Sequence, residues 1–273
     1  MAVNEAVERA HREGILNTAS LMVAADAAAD AVRRARALPG LGVGLHLVLA
    51  DGKPALPATE IPALVGADGL FSSRLVSAGA RFFFRKAARR QLGAEIRAQF
   101  ERFRQTGLVL DHVNAHHHMH LHPTVLALII EIGGDYGVRA VRLPYEPFFA
   151  SWRAAREGLG RRLVNDLCLR PLTLAHRRRL ARAGIGCNDY VFGMNDTTAM
   201  NRDRLIGFLD HLPDGVSEIF CHPTAAPMRN GASEPRLAGA DDELGALTDH
   251  AVASTMRTRG IEMTSFAALA PPE

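Results

Sequence analysis

"LVLDHVNAHHHMHLHPTVLALIIEI", residues 108–132, changes character halfway along. Leu108 to Ala115 is an apolar run of strand length. Pro123 opens a second, longer apolar run, which Gly133 and Gly134 close. Proline suits the first turn of a helix, where its missing N–H costs nothing, and paired glycines end one. The stretch therefore reads as strand, loop, helix. The loop is crowded with imidazole: six of the twelve histidines of the chain lie between 111 and 123.

The same alternation continues to either side. "NEAVERAHREGI" predicts an amphipathic helix, "TASLMVA" a short strand, and "AADAAADAVRRARAL" a helix ending at Pro39-Gly40. "GVGLHLVLA" predicts a strand closed by Asp51-Gly52, and residues 86–106 a helix. Further on, "VRAVRLP" and "SEIFCHP" predict strands, residues 151–183 a basic helix, "ADDELGALTDHAVASTMRTRG" a helix and "IEMTSF" a last strand. Alternation of this kind predicts an α/β fold with a parallel sheet, either a (β/α) barrel or a doubly wound sheet. With no internal repeat or low-complexity linker, residues 1–273 read as a single domain with basic insertions around 71–110 and 145–185.

Composition narrows the classes. Nearly half of the 273 residues are apolar, enough for a substantial core. Cys168, Cys187 and Cys221 show no CxxC spacing, which excludes a cysteine zinc knuckle and fits a reducing compartment. No run reaches the roughly 18 apolar residues of a membrane span. "MAVNEAVERAHREG" is charged and lacks the apolar core of a signal peptide, so the expected location is the cytoplasm. The net charge of +3 is unevenly spread. Residues 71–110 and 151–182 each hold nine Lys/Arg against two acids, so the rest of the chain is acidic. Such segments are either solvated helix faces or a surface for anionic partners.

Histidines occur at three predicted strand ends: His46 in "GLHLVL", the cluster, and His222 in "IFCHPT". In parallel α/β folds those ends converge on the active site. On a strand, His112, Asn114 and His116 share one face, while His118, His120 and His122 fall in the following loop. A catalytic metal takes about three protein ligands and keeps a position open, so most of the six must serve otherwise. Imidazole favours zinc, nickel, cobalt or iron over magnesium. Asp111 faces away from His116, so the local sequence offers no obvious carboxylate ligand. GxGxxG, Walker and GxSxG motifs are absent, and "HREGI" lacks the second histidine of HExxH.

Taken together, "HREGILNTASLMV", "LGVGLHLVL", "HVNAHHHMHLHPTV", "VRAVRLP", "EIFCHPT" and "DDELGALTDHAVASTMRTRGIEMTSF" resemble the YdjC-like carbohydrate deacetylases over nearly the whole chain. The likeness looks nearest to the hopanoid-biosynthesis branch, HpnK. The resemblance implies a barrel-like fold and metal-dependent removal of an N-acetyl group from an acetamido sugar, in this branch an N-acetylglucosaminyl hopanoid. It implies one divalent ion, magnesium or zinc, held by an aspartate and two histidines that map to His46 and His116. The family opens with a strand and an Asn-Ala-Asp-Asp-Phe-Gly motif ahead of the first helix. This sequence starts at Met1, within or just before that helix, so the first strand and both aspartates are expected to be missing, with weak metal binding and no activity. A further departure is Asn114-Ala115, where relatives often carry Asp-Ser.

On this reading His222 is the general acid. Arg142 and His118 are candidate substrate contacts. "RFFFRKAARR" (81–90) and "FFASWRAAREGLGRR" (148–162) mix aromatics with cations, which suits docking on anionic lipid and peripheral contact with an inner membrane. A homodimer is one possible assembly. Nucleic acid is not expected as a partner, since no reading motif accompanies the basic segments. The alternatives are a phosphoesterase on a similar barrel, a His-rich metal-binding protein, and a truncated, non-catalytic relative.

Overall fold

The strand–loop–helix unit forms as the sequence predicts, in a computed structural model that describes residues 1–225 and 240–270. Strand β3 (Leu110–Ala115) leads into 3-10 turns over His116–Leu121 and then helix α5 (Pro123–Gly133). Before it come α1 (Ala2–Glu13), β1 (Thr18–Leu21), α2 (Ala28–Arg36), β2 (Gly42–Leu47), α3 (Leu75–Phe84) and α4 (Lys86–Gln105). After it come α6 (Phe148–Ala155), α7 (Leu159–Arg182), β4 (Tyr190–Phe192), α8 (Arg202–Leu209), β5 (Ser217–Ile219), α9 (Ala240–Leu247) and α10 (His250–Thr258).

Every strand pairing named here is parallel. β1, β2 and β3 form one sheet in that order, and β4 pairs with β5 in a second. Isolated parallel bridges, Val113 to Val141 and Ala140 to Gly186, extend the succession beyond β3. The strand expected at "VRAVRLP" is thus reduced to those two bridging residues. "IEMTSF" does not form a strand: residues 261–265 are irregular and Phe266–Leu269 is a 3-10 turn. The long basic helix is broken where Arg156 and Gly158 take positive φ (58° and 65°). The helix expected near the C-terminus divides at Asp249, whose side chain accepts from Ala251 N and caps α10. Helices α3 and α8 and strand β4 were not expected from the sequence.

The largest apolar core lies between the three-stranded sheet and helices α4 and α5. Leu45, Leu47, Leu92, Ile96, Phe100 and Ile129 are among its fully buried members. Smaller clusters join β4, α8 and α10, and α1 with α9. Helix α4 does more than pack. Its buried Gln99 takes Val48 N (2.9 Å) and gives to Val48 O (2.7 Å). Its buried Glu95 takes the N–H groups of Ala55 (2.7 Å) and Leu56 (2.9 Å). The loop that follows β2 is therefore clamped at both ends by one helix. A segment expected as a basic insertion supplies that clamp.

Helix α7 is anchored by Leu180 in the core near one end and by buried charge near the other. Arg162, 1% exposed, donates to Glu146 Oε1 (3.0 Å), to both carboxylate oxygens of Asp196 (2.8 and 2.6 Å) and to Glu157 O (2.9 Å). Removing one partner of such a buried set leaves the others desolvated and uncompensated. Arg162→Met is expected to lower unfolding stability by about 3–5 kcal/mol in urea denaturation. A loss below about 1 kcal/mol would show that Glu146 and Asp196 regain solvent or protons at little cost.

Candidate active site

The site is built at the C-terminal ends of β2 and β3. The register sets His46 directly opposite Asn114. Gly44 makes room behind them, since a Cβ there would lie 2.4 Å from the His112 ring. His112 fills that space. It is buried and stacked on Phe266, gives its Nδ1–H to Asp111 Oδ2 (2.8 Å) and reaches Ser20 Oγ through Nε2 (3.0 Å). Asp111 also accepts from Ala267 N (3.1 Å). Asp111 and His112 therefore brace the sheet on the face that Asn114 shares, one step back along the strand, and are engaged by the protein itself.

Asn114 joins this brace to the cleft. Its amide satisfies every neighbour in one orientation, an assignment that rests on the hydrogen-bond network. The oxygen then accepts from Arg142 Nη1 (3.0 Å), Arg142 Nη2 (3.2 Å) and Ser20 Oγ (2.8 Å), while the nitrogen donates to His46 Nδ1 (2.6 Å). Arg142 is itself held by a two-pronged pair with Glu218, with Nε to Oε2 at 2.7 Å, and lies over the Phe220 ring at 5.4 Å. Such a fork is stiff, so Arg142 is a fixed positive charge at the floor of the cleft.

The loop ends complete the arrangement. Asp51, His116 and His117 each offer a ligand atom, and those atoms all lie within 4.8 Å of one another. His117 Nε2 is 3.1 Å from Asp51 Oδ2. Among the described residues this is the group of histidine, cysteine and acidic side chains that could hold a metal ion. Asp51, His117 and His118 share left-handed backbone (φ 52°, 52° and 53°), three of the five non-glycine cases among the described residues. Conformations of this kind cost energy and persist where the surroundings impose them, commonly at functional sites.

The remaining expected residues surround the triad. The His46 ring stands edge-on to His116, 5.6 Å between centroids. His118 and His222 flank Phe220 at 5.9 and 5.5 Å, on the ring that Arg142 covers. His118 Nδ1 is buried and has no hydrogen-bond partner. His120 faces inward and accepts from Ala115 N (3.0 Å), and His122 caps α5 by accepting from Thr124 N (3.3 Å). Those two hold the loop. Sequence reasoning took Asp51 for a turn residue. The available signal was its place just beyond His46, since parallel strand ends share one rim.

Burial disfavours the charged form of three imidazoles around the triad, His46, His118 and His222. Burial, with the charge of Arg142 and neighbouring histidines, lowers His46 to about 3. Burial and Arg142 likewise take His118 to about 3. His222 is lowered by the protein around it and then by Arg142. Neutral imidazole is the form that ligates metal or accepts a proton.

Comparisons along the whole chain identify relatives. The family model described as YdjC-like protein matches residues 1–258. A carbohydrate deacetylase of Geobacillus stearothermophilus is 30% identical over 270 residues, covering 97% of this chain and 91% of the relative. One of Vibrio vulnificus (strain CMCP6) is 30% identical over 273 residues, covering 98% and 90%. A solved Enterococcus faecalis structure, described as a cellobiose-phosphate cleavage protein, superposes with a TM-score of 0.71 at 22% identity, covering 99% of this chain and 94% of that one. That last likeness is one of fold.

His46 and His118 have lower pKa values folded than unfolded, so the unfolded chain binds more protons between about pH 6.5 and 3. Their contribution to stability is full above that window and is lost as pH falls through it. The melting temperature of the metal-free protein is expected to drop between pH 7 and 4, less steeply in His118→Asn. Parallel profiles for the two proteins would assign the pH dependence to other groups. Family model, full-length relatives and fold agree along the chain, and the protein belongs to the YdjC-like family.

Proposed function

We propose that this protein is a carbohydrate N-deacetylase, hydrolysing the acetamide of an N-acetylated sugar. The observation that carries the reading is the convergence of Asp51, His116 and His117 beside His118, His222 and Arg142. It is supported by carbohydrate deacetylases among the relatives that match along most of their length. A barrel-like closure of the parallel succession belongs to the same reading.

The donor set fits a divalent ion. Two imidazoles and one carboxylate suit zinc-type ions better than magnesium, which prefers oxygen ligands. Asp51, His116 and His117 would hold it, with His46 as a further candidate ligand. When bound, the ion supplies Lewis-acid chemistry for the acetamide carbonyl. Within this reading Asp51 provides the carboxylate that local sequence around the cluster lacks.

The protein's own groups do the rest. Burial and the charge of Arg142 favour the neutral form of His222, which first takes a proton from the attacking water. It then returns that proton to the departing sugar amine, the role expected of a general acid. His118 Nδ1, buried without a protein partner, is placed to hold a sugar or acetamide group. Arg142 is fully engaged by Glu218 and Asn114, so it acts as a fixed charge that orients Asn114 and keeps nearby imidazoles neutral. It contacts substrate only through what those bonds leave free. The acetamido sugar we favour is lipid-borne, of the N-acetylglucosaminyl hopanoid type.

The direct test is acetate release from N-acetylated glucosamine oligomers with zinc or magnesium, with phosphate release from sugar phosphates as the rival readout. Acetate is expected. His222→Asn should lower kcat by about 100- to 10,000-fold while moving KM little. Asp51→Asn should weaken metal binding, read by calorimetry, by at least about 100-fold, more than the loss of a partner outside the coordination shell would. Unchanged metal affinity in that variant would remove Asp51 from the site, and phosphate without acetate would overturn the deacetylase reading.

A further inference from the structure

Helix α7 turns a mostly polar side inward. Four of its five buried residues, Arg162, Asp166, Thr173 and His176, are polar, and Leu180 near its end is the one apolar member. The side it turns to solvent carries Leu163, Val164, Leu167 and Leu174, exposed by 38%, 59%, 64% and 48%. Along a helix of 3.6 residues per turn those four fall within one stripe, opposite Arg162 and Thr173. A helix in water buries its apolar stripe, so this orientation calls for a cover.

Charge identifies the cover. Cations flank the stripe, with Arg161, Arg170, Arg178 and Arg182 exposed. The single acid on the helix, Asp166, is buried and bound to Tyr145 Oη at 2.9 Å. A second copy of the same face would set arginine against arginine. Anionic phospholipid headgroups complement it, and arginine stems let their charged ends reach the headgroups while the leucines enter the acyl boundary.

A second exposed patch lies on α3. Phe83 and Phe84 at the end of α3 are 51% and 79% exposed and run straight into Arg85 and Lys86. Phe83 stands 6.2 Å from the His122 ring, while His176 and Arg179 of α7 bond to Leu121 O (2.8 Å) and Pro123 O (3.2 Å). Helices α3 and α7 thus both touch the end of the loop that begins with His116. No described helix is long and apolar enough to cross a membrane, so the contact is one of adsorption.

We infer that the outward face of α7, with the α3 aromatics, is a docking surface for an anionic phospholipid bilayer and holds the histidine loop near that bilayer. The inference goes beyond the deacetylase reading, because adsorption requires none of the site residues.

Co-sedimentation of the full chain with vesicles tests it. Binding is expected to phosphatidylglycerol/phosphatidylcholine vesicles at low salt and not to phosphatidylcholine alone. It should weaken as rising salt shortens the screening length from about 30 Å at 0.01 M to about 3 Å at 1 M. L163Q/L167Q should lower partitioning at least about tenfold, since two leucines no longer enter the apolar phase. The same variant should melt like the parent and release acetate from a soluble sugar at the parent's rate, which separates docking from catalysis. Two results would overturn the inference. One is parent protein left in the supernatant with anionic vesicles at low salt. The other is a dimer, seen by light scattering, that L163Q/L167Q makes monomeric, because the stripe would then be covered by a second copy.

Discussion

The parallel register of β2 and β3 is the constraint on which the site depends. It sets His46 opposite Asn114 and ends both strands at one level, so that the loops beyond them meet. A slip of one residue would turn His46 and Asn114 to the opposite face and part Asp51 from His116. The register is fixed one step back along the same face. Only a glycine at 44 admits the His112 ring, and that ring is tied to Asp111, Ser20 and Phe266. From the front, Gln99 and Glu95 pin the loop that carries Asp51. Two buried polar side chains of one helix thus convert a strand register into a ligand geometry.

The histidines divide by what the backbone does to them. His112 precedes the strand's end and braces it. His116 and His117 stand where the chain leaves the sheet, and left-handed backbone at His117 and His118 turns successive rings into the cleft. Past the turn, His120 and His122 are absorbed by backbone N–H groups. Six imidazoles in one short segment therefore serve several roles, and only two of them enter the candidate metal site. Arg142 links the roles: its Glu218 pair immobilises it, its Nη atoms fix Asn114, and its charge helps hold the surrounding imidazoles neutral.

The basic segments are parts of the fold rather than attachments to it. Helix α4 supplies Leu92, Ile96 and Phe100 to the largest core, and α7 is held by the buried Arg162 set. The inward positions of α4 are mainly apolar, with Glu95 and Gln99 among them, whereas those of α7 are mainly polar, with the paired charge of Arg162 at one end and Leu180 at the other. That difference gives α7 an exposed leucine face and α4 an ordinary polar one.

The sequence by itself determined the alternation of strand and helix, the break at Pro123, and the gathering of His46, His116, His118 and His222 near strand ends. Those are local matters: hydrophobic period, proline, glycine and composition act over a few residues. It failed at "IEMTSF", where a strand-like pattern lacks a neighbour to pair with, and at "VRAVRLP", where pairing is limited to two bridges. Only the tertiary structure decided that Asp51 joins His116 and His117, since the two loops are separated by more than sixty residues of chain. It also decided which side of α7 faces inward. Helical period predicts an apolar side turned to the core, and the buried Glu146–Arg162–Asp196 pairing, which no local pattern encodes, turns the polar side there instead.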